Sequence, residues 1–134
     1  FPKGAHAAAI VAGTRVEVAG IAKGSGMIAP DMATMLAYVF TDASVAPALL
    51  QQMVSAANAG SFNCITVDGD TSTSDTLLVF ATGAAGTPML ETMDDPGADA
   101  LAAAIADVCR NLAQQIVRDG EGAQKFIAIR VSGA

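Results

Sequence analysis

The chain has 134 residues, 52% of them apolar and 15% charged, and a formal net charge of −6. That length suits one domain with a real core, and the composition is globular rather than disordered. The acidic balance, without a basic stripe, argues against a nucleic-acid partner. No apolar run has the length of a membrane span and none reads as a signal peptide, so a cytoplasmic protein without a membrane partner is expected. The chain opens on Phe1 and closes on Val131-Ser132-Gly133-Ala134, and we expect it to be the central piece of a longer precursor.

In chain order, residues 8–12 and 15–21 are predicted as two short strands around a Gly13-Thr14 turn. A glycine-rich turn, Lys23-Gly24-Ser25-Gly26, leads to Ala33 and Thr34 and then to an apolar run over 34–40, too continuous for a strand with one solvated face. Ser44 is the predicted N-cap of a helix reaching about Ala59, with Ala46, Leu49, Leu50, Met53, Val54 and Ala57 on its buried stripe and Gly60 as its C′ residue. Residues 65–67 and 76–82 read as strands on either side of a polar loop. Asp95-Pro96 is predicted to open a second helix with a cap and an N1 proline. Leu101, Ile105, Val108, Leu112 and Ile116 mark its apolar stripe to Arg118, and Gly120 ends it. Residues 125–131 alternate as a final strand. The pattern predicts an α+β domain with helices layered on sheet. Cys64 and Cys109 make neither a disulfide framework nor a four-ligand metal site, and both are expected to be reduced and buried.

Thr34 is the candidate nucleophile. A small residue precedes it at the mouth of a strand, which suits a self-cleaving bond between Ala33 and Thr34. Cleavage would leave Thr34 with a free α-amine beside its hydroxyl, nucleophile and base in one residue. Such chemistry needs no histidine, and a Ser-His-Asp apparatus would have to be built around His6, the one histidine here. A threonine at a strand start is also simply a good β-former. Lys23 precedes its glycines, which excludes a phosphate-binding P-loop; near Thr34 it would hold a free amine neutral and bind a carboxylate. Asp68 to Asp75 lacks the glycine and glutamate of a calcium loop, since Thr73 and Val79 stand there, and reads as a turn that satisfies its own backbone. Glu121, between Gly120 and Gly122, is either a solvated residue after a helix or one presented to a ligand.

These segments closely resemble the ornithine acetyltransferase family, the glutamate N-acetyltransferases of arginine biosynthesis. The resemblance runs along the whole chain. It rests on residues 20–28, on Met32-Ala33-Thr34-Met35-Leu36, on Thr41-Asp42-Ala43, on Ser61-Phe62-Asn63, on residues 65–73 and on Asp119-Gly120-Glu121-Gly122-Ala123. It implies a layered αββα-type sandwich similar to the N-terminal-nucleophile fold, and self-cleavage before Thr34. Residues 1–33 would then end an α chain and 34–134 begin a β chain, assembling as α2β2. It implies that Thr34 carries acetyl from N2-acetylornithine to glutamate, with Lys23 and Glu121 holding substrate. No cofactor or metal is implied, although some members accept acetyl-CoA as donor. Asp31 and Ser74 depart from the family, where asparagine is common. The family's oxyanion hole and its C-terminal substrate contacts fall outside this chain, so the isolated piece is expected to be inactive. The alternatives are a related self-processing aminopeptidase or amidase, with water as acceptor, and a non-catalytic α+β binding module.

Overall fold

Alternation of small apolar residues with outward-facing ones over the first 23 residues builds a long hairpin. In the structure, a computed structural model that describes residues 2–24, 35–65, 75–120 and 124–133, strand β1 (Lys3–Val11) pairs antiparallel with β2 (Thr14–Lys23). Both strands are longer than predicted. The turn is Ala12-Gly13, one residue earlier than expected, because both residues take positive φ (49° and 80°), the twist that a two-residue hairpin requires. Thr14 lies opposite Val11 in the ladder.

Strand β3 (Leu36–Thr41) joins β2 antiparallel, and β4 (Thr76–Ala81) joins β3 in parallel, giving the order β1-β2-β3-β4. A parallel pair needs a crossover, and helix α1 (Pro47–Ala59), followed by a single 3-10 turn at Phe62–Cys64, lies on that connection. Helix α2 (Ala98–Arg118) packs on β1, β2 and β3 and against α1. The predicted stripe of α2 is the observed one: Leu101, Ile105, Val108, Leu112 and Ile116 are all buried. They meet the inward positions of the strands, Val11, Val16, Val18, Ala37 and Val39. At Gly20 the helix comes so close that a Cβ there would lie 2.8 Å from Val108 Cγ1 and 2.9 Å from Leu112 Cδ1. Among the described residues no helix is long and apolar enough to cross a membrane.

Both predicted caps are displaced, each for a tertiary reason. Ser44 does not cap α1; Ala46 does, without a side-chain bond, and Pro47 opens the helix. The backbone around Ser44 is engaged elsewhere: Leu90 N–H donates to Ser44 O and Ala46 N–H to Leu90 O, at 2.9 and 2.8 Å. Asp95 does not cap α2, whose N-cap is Gly97 at φ 91°. The Asp95 carboxylate instead accepts the Glu91 and Thr92 N–H groups at 2.7 and 3.0 Å, closing the turn before the helix. Gly60 ends α1 as its C-cap rather than as C′, at φ −95°.

Two further expectations change. Residues 124–133 contain no strand, and Ile127, Ile129 and Val131 are exposed; an alternating segment becomes a strand only when a ladder partner takes up its backbone groups. Cys109 is buried but Cys64 is exposed, since Cys64 ends the 3-10 turn with its thiol directed to Ala59 O. Burial pushes the Cys109 thiol up to about 11.

The layers seen are thus one of helix and one of sheet, a mixed α+β arrangement. The far face of the sheet is open among the described residues: Ile21, Phe40, Leu78 and Phe80 are exposed there, and Phe40 stacks on Phe80 with ring centroids 5.2 Å apart. The apolar run through β3 had predicted cover on both faces, and the described residues supply it on one.

Candidate functional site

The register gathers the motif-bearing segments at one end of the sheet. Lys3 lies opposite Ala22, Lys23 opposite Leu36, and Leu36 opposite Thr76. The first residues of β1, β3 and β4 and the last of β2 therefore form one row across the sheet. Because β3 and β4 are parallel, α1 must return to this end before β4 begins, which brings Cys64 and Ile65 back toward it.

Helix α2 delivers its C-terminus to the same row. Lys3 Nζ bonds Asp119 Oδ2 at 2.7 Å, and Gln115 Nε2 donates to Gly4 O at 2.8 Å and to Asn111 Oδ1 at 2.6 Å. The Lys3 ammonium beside Asp119 holds that carboxyl below the ordinary aspartate range. Asp119 is the C-cap of α2, and Gly120 and Glu121 follow it in the chain.

Of the predicted site residues, Lys23 is described. It ends β2, exposed, on the open face of the sheet that it shares with Ile21 and, across the ladder, Tyr38. Ala33, Thr34 and Glu121 lie outside the described residues, as do residues 66 and 67 of the strand expected over 65–67 and residues 68–74 of the polar loop; Ile65 itself is not in a strand. Met35, one peptide bond after Thr34, is anchored from both sides. Its N–H donates to Asp75 Oδ1 at 3.1 Å, and its carbonyl accepts the Thr76 N–H at 2.9 Å. Asp75 had been read only as the end of a polar loop; its role as the acceptor for Met35 depends on the β3–β4 pairing, which spacing does not reveal. The Lys3–Asp119 pair was missed for a similar reason, and the one sequence signal for it is that Lys3 occupies an inward position of an alternating strand.

His6 is committed elsewhere. It pairs with Glu17 on the open face, and Glu17 also accepts Arg15 Nε at 2.8 Å. Ser61, buried under the end of α1, donates to Ala57 O. Neither is placed for a Ser-His-Asp arrangement. Among the described residues no three His, Cys, Asp or Glu side chains gather where they could hold a metal ion. A cavity of about 320 Å³ lies on the helix side of the molecule, lined by Ser61, Cys64, Arg110, Gln114 and Phe126 among others. Lys23 is not part of it.

Fold and site together define an α+β chain whose helix layer and strand ends converge on one rim, where β3 begins at Leu36. The chain belongs to the ArgJ family, whose sequence profile matches residues 1–134. It is 63% identical over 124 residues to the arginine biosynthesis bifunctional protein ArgJ of Zymomonas mobilis, an overlap covering 92% of this chain and 30% of that protein. The protein of the same name from Caulobacter vibrioides is 57% identical over 134 residues, which is 100% of this chain and 33% of the relative. Among solved structures, that of arginine biosynthesis bifunctional protein ArgJ from Bacillus halodurans superposes with a TM-score of 0.63 at 45% identity, over 66% of this chain and 41% of that one. The chain thus spans about a third of the length of the curated relatives it matches.

Proposed function

We propose that the full-length protein breaks its own bond between Ala33 and Thr34 and then moves acetyl from N2-acetylornithine to glutamate through an acetyl-Thr34. In the first step Thr34 Oγ attacks the Ala33 carbonyl, the amide C–N bond breaks to free the Thr34 α-amine, and an ester forms; water then cleaves that ester, releasing the Ala33 carboxylate and restoring the Thr34 hydroxyl. That amine, with an ordinary pKa of about 8, takes the Oγ proton as Oγ attacks the acetyl carbonyl. Ornithine leaves, and the glutamate amine accepts the acetyl group from the ester. Lys23 serves a substrate carboxylate, and Glu121 completes the hold on substrate.

The observation that carries this reading is the meeting at one rim of Lys23, the anchored residue after Thr34, and the end of α2 that leads to Glu121. Family membership over the whole chain supports it. The α2β2 assembly and cytoplasmic location belong to the same reading, with acetyl-CoA as an alternative donor. Transfer to an amine instead of to water requires shelter for the ester, and the electrostatic partner of the nucleophile is expected from sequence outside this chain, so the 134-residue piece alone is inactive.

The test is the intact mass of the full-length protein beside its Thr34→Ala variant. We expect two fragments from the wild type, the second beginning at Thr34, and one uncut chain from the variant. N-acetylglutamate should form from N2-acetylornithine without release of acetate. An uncut wild type would overturn the mechanism, and acetate release would favour the amidase reading.

A further inference from the structure

The open sheet face is apolar over β3 and β4 except close to the rim. The outward side chains of β3 are Leu36, Tyr38 and Phe40, flanked across the ladders by Ile21 on β2 and by Leu78 and Phe80 on β4. Tyr38, the one tyrosine of the chain, is half-buried there and puts a phenol hydroxyl among hydrocarbon neighbours. Lys23 is its diagonal neighbour on the same face, since Ile21 stands opposite Tyr38 and Lys23 opposite Leu36. Side chains so related have Cβ atoms roughly 7 Å apart, and two long ones can reach one small group. Among the described residues neither the Tyr38 hydroxyl nor the Lys23 ammonium has a hydrogen-bond or ion-pair partner. Asp75, the acid at the same rim, accepts the Met35 N–H instead. Cover stabilises an apolar face of this kind, and under cover a phenol and an ammonium without partners are costly. A carboxylate answers both, accepting from the ammonium through one oxygen and from the phenol through the other.

We infer that Tyr38 is a substrate-binding residue that shares with Lys23 the α-carboxylate of the amino-acid substrate. The inference rests on the proposed function, which gives Lys23 a carboxylate to hold, and it supplies the second donor. N2-acetylornithine and glutamate have that carboxylate in common, so one clamp serves both halves of the exchange. The substrate class it selects is an α-amino acid or its N-acetyl form over the corresponding amine. The phenol makes no bond to the acetyl group, and its contribution is to binding rather than to the chemical step.

The experiment uses self-cleaved full-length protein and its Tyr38→Phe variant, which removes the hydroxyl and keeps the ring on the face. KM for N2-acetylornithine and for glutamate should both rise about tenfold to a hundredfold, the range for losing a hydrogen bond to a charged group. The kcat should stay within about threefold of wild type, since the bond is made alike in ground and transition states. N-acetyl-1,4-diaminobutane, the donor without its carboxylate, should inhibit wild type and variant equally. Should Tyr38→Phe fail to fold, 3-fluorotyrosine at position 38 of the otherwise wild-type protein answers the same question. Its fluorine resonance should move when glutamate is added, and one that stays put would overturn the inference. Unchanged KM for either substrate in folded Tyr38→Phe would overturn it too, whatever the melting temperature, and so would weaker inhibition by the molecule that has no carboxylate. Each of these leaves the proposed function standing. A wild type that is cut but transfers no acetyl would overturn both.

Discussion

Two aspartates show how single residues set the acid limit of this fold. Asp95 is held below the ordinary range by the Glu91 and then the Thr92 backbone N–H groups, and Asp119 by its bond to Lys3. A carboxyl whose folded value is lowered contributes stability that is fully present above its unfolded value and is lost as pH falls through the folded one. With an unfolded reference of about 3.9, the loss falls below about pH 4. Asp95→Asn should therefore be less stable than wild type at pH 6 and show a flatter decline between about pH 4 and 2, read by urea midpoints across that interval. The same scale shows what a sequence conceals. Lys23 was legible because it stands before a glycine turn and a candidate nucleophile. Lys3 was not, because a lysine on a strand is ordinarily solvated, and its partner is 116 residues away in sequence.

At the scale of elements, the glycines at close approaches decide how tightly the helix layer can sit. Gly97 combines φ 91° with a would-be Cβ 2.8 Å from Val11 Cα and 3.0 Å from Ile10 O, both backbone atoms that cannot turn aside. At Gly20 the obstacles are side-chain methyl groups of Val108 and Leu112, which can shift slightly. Gly20→Ala should cost about 1–3 kcal/mol, the usual range for overpacking. Gly97→Ala should cost more, because backbone strain of about 1–3 kcal/mol adds to the clash. Urea denaturation of the two variants tests the order, and a Gly97→Ala as stable as Gly20→Ala would contradict it. The helices themselves were well read, since a 3.6-residue apolar period survives whatever the element packs against; α2 keeps its whole predicted stripe. Their starts were read less well. Ser44 and Asp95 are good caps in isolation, but a Leu90 bridge and a Glu91–Thr92 turn take up the groups that capping would use. For residues 125–131 the alternation was real and the missing ingredient was a neighbouring strand.

The open sheet face belongs to the scale of the whole molecule. Ile21 is 58%, Phe40 45% and Phe80 44% exposed on one continuous surface, and apolar patches of this kind mark surfaces meant to be covered. The αββα arrangement expected from sequence would cover it with a second sheet drawn from the rest of the full-length chain. If so, Phe80→Ala in the full-length protein should cost about 3–5 kcal/mol, the range for emptying a core site. A loss within about 0.5 kcal/mol would mean the face stays exposed. Legibility at this scale followed the same physics. The unbroken apolar run of β3 announced a strand wanting cover on both sides, whereas residues 8–12 announced only a short strand at a turn. The convergence of the site segments on one rim could not be read from spacing, because it follows from strand order and from the parallel turn of β4 on β3.

The strand order also fixes what a break between Ala33 and Thr34 can do. Every residue of β1 and β2 precedes that bond and every residue of β3, β4 and α2 follows it, yet β2 is zipped to β3 along six residue pairs from Val18 to Lys23. Helix α2 from one side of the cut roofs the hairpin from the other, and Lys3 is paired to Asp119 across the same divide. The seam would run through the middle of one sheet and one core. Scission would make two molecules in the chemist's sense and still one folding unit, parted only by unfolding it.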